Sequence, residues 1–148
     1  MNKSAIASKS FSYHDVVMYQ SDIDRFSDKQ WLNDQCINLC FRKFEHEDFI
    51  ESATFILFLD PSIVSCIRLQ CDEESEYREI YEGLLLSQKK LIFIPVNDNS
   101  SFDSGSCHWS LLVHEQGSRA VLHLDSSNNY NSRAAIDTSA SIYKLLSM

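Results

Sequence analysis

The sequence lacks any long apolar segment. Its longest uninterrupted apolar run is Phe55 to Leu59, far short of the ~20 residues that a membrane-spanning helix needs. The first fifteen residues, MNKSAIASKSFSYHD, also lack the apolar stretch of about 7–15 residues that defines a secretory signal. We therefore expect no membrane as a partner and no secretory signal.

Positive charge is scarce. Thirteen lysines and arginines stand against 21 aspartates and glutamates, which gives a net charge of −8. A surface with this charge repels a phosphate backbone, so we expect no nucleic acid partner. The rest of the composition is typical of a globular protein, with 44% hydrophobic and 23% charged residues. Since repeats and linkers are also absent, we predict a single domain over 1–148 with a ragged start at 1–10.

The cysteines form no disulfide framework. They lie at positions 36, 40, 66, 71 and 107, an odd number with irregular spacing. Without a secretory signal, such cysteines predict reduced thiols and a cytoplasmic or nuclear location. Their spacings, C-x3-C and C-x4-C with one Cys-His dipeptide, match no four-ligand zinc site. We therefore expect no metal and no cofactor.

The apolar periodicity predicts strands and helices along the chain. Short β-type runs lie at 16–19, 55–59, 91–96, 108–114 and 119–125. Helical patterns lie at about 27–45, directly after Asp60-Pro61, at 72–83 and from Arg133 onward.

Three local features refine these predictions. Ser27 and Gln30 have the spacing of a capping box, which predicts that the first long helix begins near Ser27. Pro95 cannot donate a ladder hydrogen bond, which predicts that its strand lies at a sheet edge or ends there. The last helix should present one apolar face, formed by Ile136, Ala140, Tyr143 and Leu146.

The segment 107–125, CHWSLLVHEQGSRAVLHLD, predicts a β-hairpin. A two-residue turn at Gln116-Gly117 pairs positions whose numbers sum to 233, so His108 lies opposite Asp125. The same register gives one apolar face, formed by Trp109/Leu124, Leu111/Leu122 and Val113/Ala120. A carboxylate that holds one imidazole nitrogen leaves the other free as a base, so this pair supplies two thirds of a nucleophile–His–Asp triad. A purely structural His–Asp pair is the alternative.

The position of a nucleophile is less clear from the sequence. Cys107 adjoins His108, so on a strand its side chain points to the opposite face. Cys36 and Cys40 lie one turn apart within an apolar helical stripe, whereas activated thiols lie at helix N-termini or beside cations. We interpret Cys36 and Cys40 as core residues. An enzyme that uses Cys36 or Cys107 stays open as a further alternative.

Four short motifs follow one another in a fixed order. They are WLND at 31–34, NDNS at 97–100, HWSLLV at 108–113 and LDS at 124–126. As an ordered set they resemble the Ulp/sentrin-specific cysteine proteases, and most of all the deneddylase-like branch, which acts on a Nedd-type ubiquitin-like modifier. The resemblance covers about residues 11–146.

This resemblance implies a fold, a partner and a set of site residues. The fold is the papain-like, Ulp-type α+β fold, in which helices pack on a mixed or antiparallel sheet. His108 would be the general base and Asp125 the carboxylate that orients it. Trp31 and Trp109 would wall the narrow path of the modifier's Gly-Gly tail, with ordinary core packing as the alternative for both. Asp34 of the WLND turn would make a further substrate contact. Asn97 and Asp98 would do the same from the loop 97–106, which would order over the modifier.

One feature of the family is absent from these 148 residues. The family nucleophile lies in an Asp-Cys-Gly motif downstream of the aspartate, near a glutamine that serves as an oxyanion donor. Neither is present, so we expect the C-terminal part of the fold to be missing. The sequence therefore predicts a deneddylase-like thiol protease that cleaves after the C-terminal Gly-Gly of a modifier, but that is inactive in this chain for want of a thiolate. A non-catalytic pseudoprotease that binds the modifier is the alternative.

Overall fold

The computed structural model describes residues 9–101 and 108–148. The strands are β1 (Lys9–Tyr13), β2 (Val16–Tyr19), β3 (Ile56–Phe58), β4 (Leu91–Asn97), β5 (Trp109–Glu115) and β6 (Val121–Leu124). The α-helices are α1 (Gln20–Ile23), α2 (Asp34–Lys43), α3 (Pro61–Leu69), α4 (Glu74–Gly83) and α5 (Ser132–Leu146). A π-helical segment, Phe44–Asp48, continues α2, and short 3₁₀ segments lie at Asp24–Phe26, Ile50–Ser52 and Leu86–Gln88.

The strands form two sheets. Strands β1 and β2 make an antiparallel hairpin, and the other four form a mixed sheet in the order β3-β4-β5-β6. Strand β3 runs parallel to β4, whereas the β4–β5 and β5–β6 pairs are antiparallel. The main core lies between this sheet and helices α3, α4 and α5. Over 9–101 and 108–148, no helix combines the length and apolarity needed to cross a membrane.

Helix α2 begins later than the sequence predicts. Its N-cap is Asn33, whose side chain accepts a hydrogen bond from the Cys36 N–H at 3.1 Å. The same side chain donates to the buried Asp22 at 2.7 Å, so a contact with a distant residue fixes the cap. Ser27 instead follows a 3₁₀ segment in extended backbone. The predicted capping box at Ser27 is therefore wrong.

We expect Asn33→Ala to lower the free energy of unfolding by about 0.5–2 kcal/mol, because the variant loses the helix cap. Ser27→Ala, at the predicted but incorrect start, should change it by less than about 0.5 kcal/mol. Denaturant unfolding of both variants measures the difference. Equal losses would contradict the cap at Asn33.

Strand β4 neither lies at an edge nor ends at Pro95. It pairs with β5 as far as Asn97, with Pro95 opposite Leu111. The Leu91 N–H donates to the Phe55 carbonyl and the Phe93 carbonyl accepts from Leu59 N–H, so odd-numbered residues of β4 direct their backbone groups towards β3. Since β3 ends at Phe58, opposite Phe93, Pro95 lies beyond it. The missing N–H costs no ladder bond there.

Helix α5 buries a different face from the predicted one. Its buried positions are Ala135, Thr138, Ile142 and Leu145. By contrast, Ile136 is 65% exposed and Tyr143 38% exposed. The buried stripe includes a threonine whose hydroxyl donates to the Ala134 carbonyl at 2.7 Å. Because this hydroxyl is satisfied within the helix, a polar residue occupies a core position and obscures the apolar pattern.

Candidate active site

Strands β5 and β6 form the predicted hairpin in a different register. The pairs run from Leu111↔Leu124 to His114↔Val121, so paired numbers sum to 235 and not to 233. The predicted turn does form, with Ser118 N–H donating to the Glu115 carbonyl at 3.0 Å.

Two further contacts account for the shift in register. The Gln116 N–H donates to the Lys90 carbonyl at the start of β4, at 2.8 Å, and the Ser118 hydroxyl bonds to the backbone of Ala120. These contacts hold residues 116–120 out of the β5–β6 ladder. A shift of two residues keeps every side chain on its predicted face.

His108 and Asp125 lie in direct contact. The imidazole Nε2 is 2.6 Å from Asp125 Oδ1. In the observed register Asp125 would lie opposite Ser110, so His108 reaches it diagonally, across a distance that a long side chain can span. Because an ionised carboxylate only accepts hydrogen bonds, Nε2 carries the proton and Nδ1 of the neutral ring is left as a base.

The Asp125 carboxylate is held in its ionised form. Its side chain has no solvent exposure, and burial by itself raises the pKa. Hydrogen bonds from the backbone N–H groups of Asn131 and Ser127, both 2.8 Å long, and from His108 outweigh burial and bring the pKa to about 2. The carboxylate is therefore negative throughout the neutral range and can stabilise a protonated His108.

An apolar groove of about 570 Å³ adjoins this pair. It lies between α2 and the face of the sheet opposite to the main core. It is lined by side chains that include Ile37, Phe41, Pro95, Trp109, Leu111 and Leu124. The Trp109 indole N–H donates to the Leu32 carbonyl at 2.9 Å. Trp31, the preceding residue, is 63% exposed, so ordinary core packing does not describe it. The bond to Leu32 brings the Trp109 indole to the segment that carries Trp31, directly before α2.

The other predicted substrate residues occupy supporting positions. Asp34 opens α2 and is half-buried, and burial followed by the negative charge of Asp60 raises the pKa of its carboxyl group. Asn97 is buried, and its two oxygens accept from the Arg68 guanidinium. Asp98 Oδ1 accepts from the backbone N–H of His108 at 3.2 Å. Their roles towards a substrate stay predictions, and residues 102–106 of the predicted covering loop lie outside the described residues.

None of the four cysteines that the structure describes is hydrogen-bonded to His108. Cys36 is buried on α2 and its thiol donates to the Asp22 carbonyl at 3.3 Å. Cys66 and Cys71 face each other with 3.9 Å between their sulfurs. Burial raises the pKa of Cys36 and Cys40, and it raises that of Cys71 to about 11. These geometries disfavour Cys36 as a nucleophile, whereas Cys107 lies outside the described residues.

Sequence reasoning missed Asn131. Its backbone N–H holds Asp125, and its side chain donates to the carbonyl of His108 at 3.3 Å. Tyr130 was also missed, and its ring stands edge-on to the imidazole at 5.4 Å. Both residues belong to a polar segment without periodicity, so no pattern singled them out. Within 9–101 and 108–148, no group of three histidines, cysteines or acids is arranged to bind a metal.

Comparisons with known proteins identify the family of the chain. The model of the Peptidase_C48 family, described as the Ulp1 protease family C-terminal catalytic domain, matches residues 30–147. Human sentrin-specific protease 8 is 33% identical over 121 residues, which cover 82% of this chain and 57% of that protein. NEDD8-specific protease 1 of Arabidopsis thaliana is 36% identical over 122 residues, covering 80% of this chain and 51% of that protein. The chain thus spans about half the length of these relatives.

Solved structures show the same fold. The C-terminal Ulp1 protease domain in complex with Smt3, the yeast ortholog of SUMO, superposes with a TM-score of 0.68 at 18% identity, covering 97% of this chain and 60% of that one. The SUMO protease Ulp1 with its catalytic cysteine oxidised to a sulfonic acid gives a TM-score of 0.67 at 17% identity, with the same coverage. These likenesses confirm the predicted Ulp-type α+β fold. Together with the family match, they show that the chain belongs to the Ulp1 protease family.

Proposed function

We propose that these 148 residues carry the general base and the tail-binding surface of a deneddylase-like thiol protease. The observation that carries the proposal is the 2.6 Å contact of His108 Nε2 with Asp125, beyond which the described residues give Nδ1 no hydrogen-bond partner. A thiol placed at Nδ1 would lose its proton to His108, attack the carbonyl of the modifier's last glycine, and release an amine that takes the proton back. The relatives named for sentrin and NEDD8 support a ubiquitin-like modifier, with the Nedd type favoured.

On its own, the chain is proposed to bind the modifier without cleaving it. Support comes from the four described cysteines, none of which is bonded to His108, and from the absence of an Asp-Cys-Gly sequence. The exposed Trp31 and the groove beside Trp109 would receive the tail, because a Gly-Gly segment has no side chain to obstruct a narrow path between indoles. The odd number and irregular spacing of the five cysteines favour the proposed cytoplasmic or nuclear location.

The binding test is a calorimetric titration of the 148-residue chain with a Nedd-type modifier. We expect Trp109→Ala to weaken binding roughly 30-fold, the effect of losing an aromatic hot spot of about 2 kcal/mol. Phe55→Ala is the matched control, because Phe55 is an exposed aromatic beside Leu91, at the opposite end of β4. Its affinity should equal that of the wild type.

Three further measurements define what would contradict the proposal. The affinity of the wild type for a modifier without its two terminal glycines should be as low as the affinity of Trp109→Ala for the intact modifier. SUMO-type and ubiquitin-type modifiers should bind the wild type more weakly than the Nedd type. A modifier ending in a vinyl sulfone should form no thioether. No binding by the folded wild type would contradict the function, and an adduct on any cysteine would contradict binding without cleavage.

A further inference from the structure

His108 lies just outside the hydrogen-bonded ladder of the sheet. The last pair between β4 and β5 is Asn97↔Trp109, one residue after His108, and β6 ends at Leu124, one residue before Asp125. The two residues therefore meet just beyond the point where the pairing of β4, β5 and β6 ends. Their position depends on contacts other than strand pairing.

Asn131 provides such contacts from a fully enclosed position. It is 1% exposed, and its side-chain amide donates to the carbonyls of His108 and Val96, at 3.3 and 3.1 Å, and to the Ser110 hydroxyl at 3.2 Å. Its backbone N–H donates to Asp125 Oδ2 at 2.8 Å. One residue thus connects the end of β4, the start of β5 and the residue that follows β6.

The opposite side of the His108 peptide is held by another side chain. Asp98 Oδ1 accepts from the His108 N–H at 3.2 Å, while Asn131 donates to the His108 carbonyl. The backbone of the imidazole-bearing residue is therefore fixed at both of its polar groups. Asp98 belongs to the loop after β4, whereas Asn131 immediately precedes α5.

The conformation of the backbone before Asn131 determines where this residue lies. Asn128 and Asn129 have positive φ angles of 47° and 60°, in the left-handed region that asparagine tolerates better than most side chains. They reverse the chain after Asp125, and Ser132 N–H closes this turn on the Asn129 carbonyl at 3.0 Å. As a result Asn131 lies against both His108 and Asp125.

The burial of Asn131 has a cost. Among the described residues its Oδ1 has no hydrogen-bond partner, and an unsatisfied buried acceptor destabilises the folded state. A leucine of similar size would avoid this cost, but it would remove the side-chain donor to the carbonyl of His108, which lies outside the strand ladder. The position therefore favours orientation of His108 over stability.

We propose that Asn131 is a positioning residue that sets the relative placement of His108 and Asp125 by binding the backbone of the first and the carboxylate of the second. Its value to a reaction rests on the proposed function, but the placement itself belongs to the free protein. The residue acts through the two side chains and contacts no substrate.

The test is carried out on the free chain by NMR. We expect Asn131→Ala and Asn131→Leu to raise the pKa of the Asp125 carboxyl from about 2 towards its ordinary value of 3.8. Both variants keep the backbone N–H of residue 131 but lose the side-chain bonds that hold this N–H against Asp125 Oδ2. The His108 Nε2 proton should exchange with water at least about tenfold faster, because a free-energy loss of about 1.4 kcal/mol in the closed state corresponds to that factor. Thr138→Ala is the control: Thr138 is equally buried on α5, and its hydroxyl donates to the Ala134 carbonyl of the same helix.

The outcomes separate a positioning role from a structural one. Thr138→Ala should destabilise the protein and leave both NMR readouts unchanged. If Asn131→Ala does not fold, Asn131→Ser, which keeps one donor, should show an intermediate pKa of Asp125. A pKa of about 2 in every folded Asn131 variant would overturn the proposal even if the wild type binds the modifier. Failure to bind the modifier, with the pKa raised, would instead contradict only the proposed function.

Discussion

An Ile142→Ala variant is expected to lose about 2–5 kcal/mol of unfolding free energy, whereas Ile136→Ala should change it by less than about 0.5 kcal/mol. Ile142 is 2% exposed and belongs to the core between the sheet and α5, while Ile136 on the same helix is 65% exposed. Removing three buried methyl and methylene groups at position 142 costs their transfer free energy and leaves a cavity. At position 136, alanine is also the better helix former.

The two variants are matched because each makes the same substitution within α5. Urea unfolding followed by far-ultraviolet circular dichroism gives both free energies at a single pH. A larger loss for Ile136→Ala than for Ile142→Ala would mean that α5 packs on the face formed by Ile136, Ala140 and Tyr143. That result would contradict the observed orientation of the helix.

Asp125→Asn is expected to destabilise the protein most at neutral pH and progressively less as the pH falls. The folded pKa of Asp125, about 2, lies below the ordinary value of 3.8. The ionised carboxylate therefore stabilises the fold fully above about pH 4, and this contribution is lost as the pH falls from there to about 2. The amide cannot accept from Ser127, Asn131 and His108 together, so the variant lacks the contribution at every pH.

The measurement is the difference in unfolding free energy between the wild type and Asp125→Asn from pH 6 to pH 2.5. Thr138→Ala again serves as the control, since it retains the carboxylate and its difference from the wild type should not follow the same pH dependence. A constant difference for Asp125→Asn over this range would show that the carboxylate is not held in its ionised form. The contact with His108 would then have to be reassessed.

Local patterns predicted the elements that local contacts determine. Asp60 caps α3 through the Ser62 N–H at 2.7 Å, directly before Pro61, as the sequence indicates. Strands β2, β3, β5 and β6 also lie within or close to their predicted ranges. Side-chain periodicity and caps depend on near neighbours, so they are visible in one sequence.

The errors arose where a distant residue decides the outcome. The start of α2 depends on the contact of Asn33 with Asp22. The hairpin register depends on the bond from Gln116 to Lys90. Because Lys90 lies outside the segment 107–125, the sequence of that segment alone does not indicate this bond. Since the shift was two residues, the faces were kept, and His108 still meets Asp125 across a diagonal.

The same distinction applies to the candidate site. The hairpin pattern and the motif resemblance both pointed to His108 and Asp125, and the structure brings them together. Asn131 contributes through its backbone N–H and through side-chain bonds to the backbone carbonyls of other residues. Backbone groups of this kind occur along the whole chain, so they leave no pattern in the sequence. Its part in the site is therefore visible only once the chain has folded.

The contact between Trp109 and Leu32 gives the protein a built-in optical reporter. The chain has only two tryptophans, and this 2.9 Å hydrogen bond places Trp109 beside the residue that follows Trp31. Ultraviolet emission excited at the indole band therefore originates from one small region of the surface. Covering the exposed Trp31 should shift that emission to shorter wavelengths, so unlabelled protein suffices to follow occupancy of this region in real time.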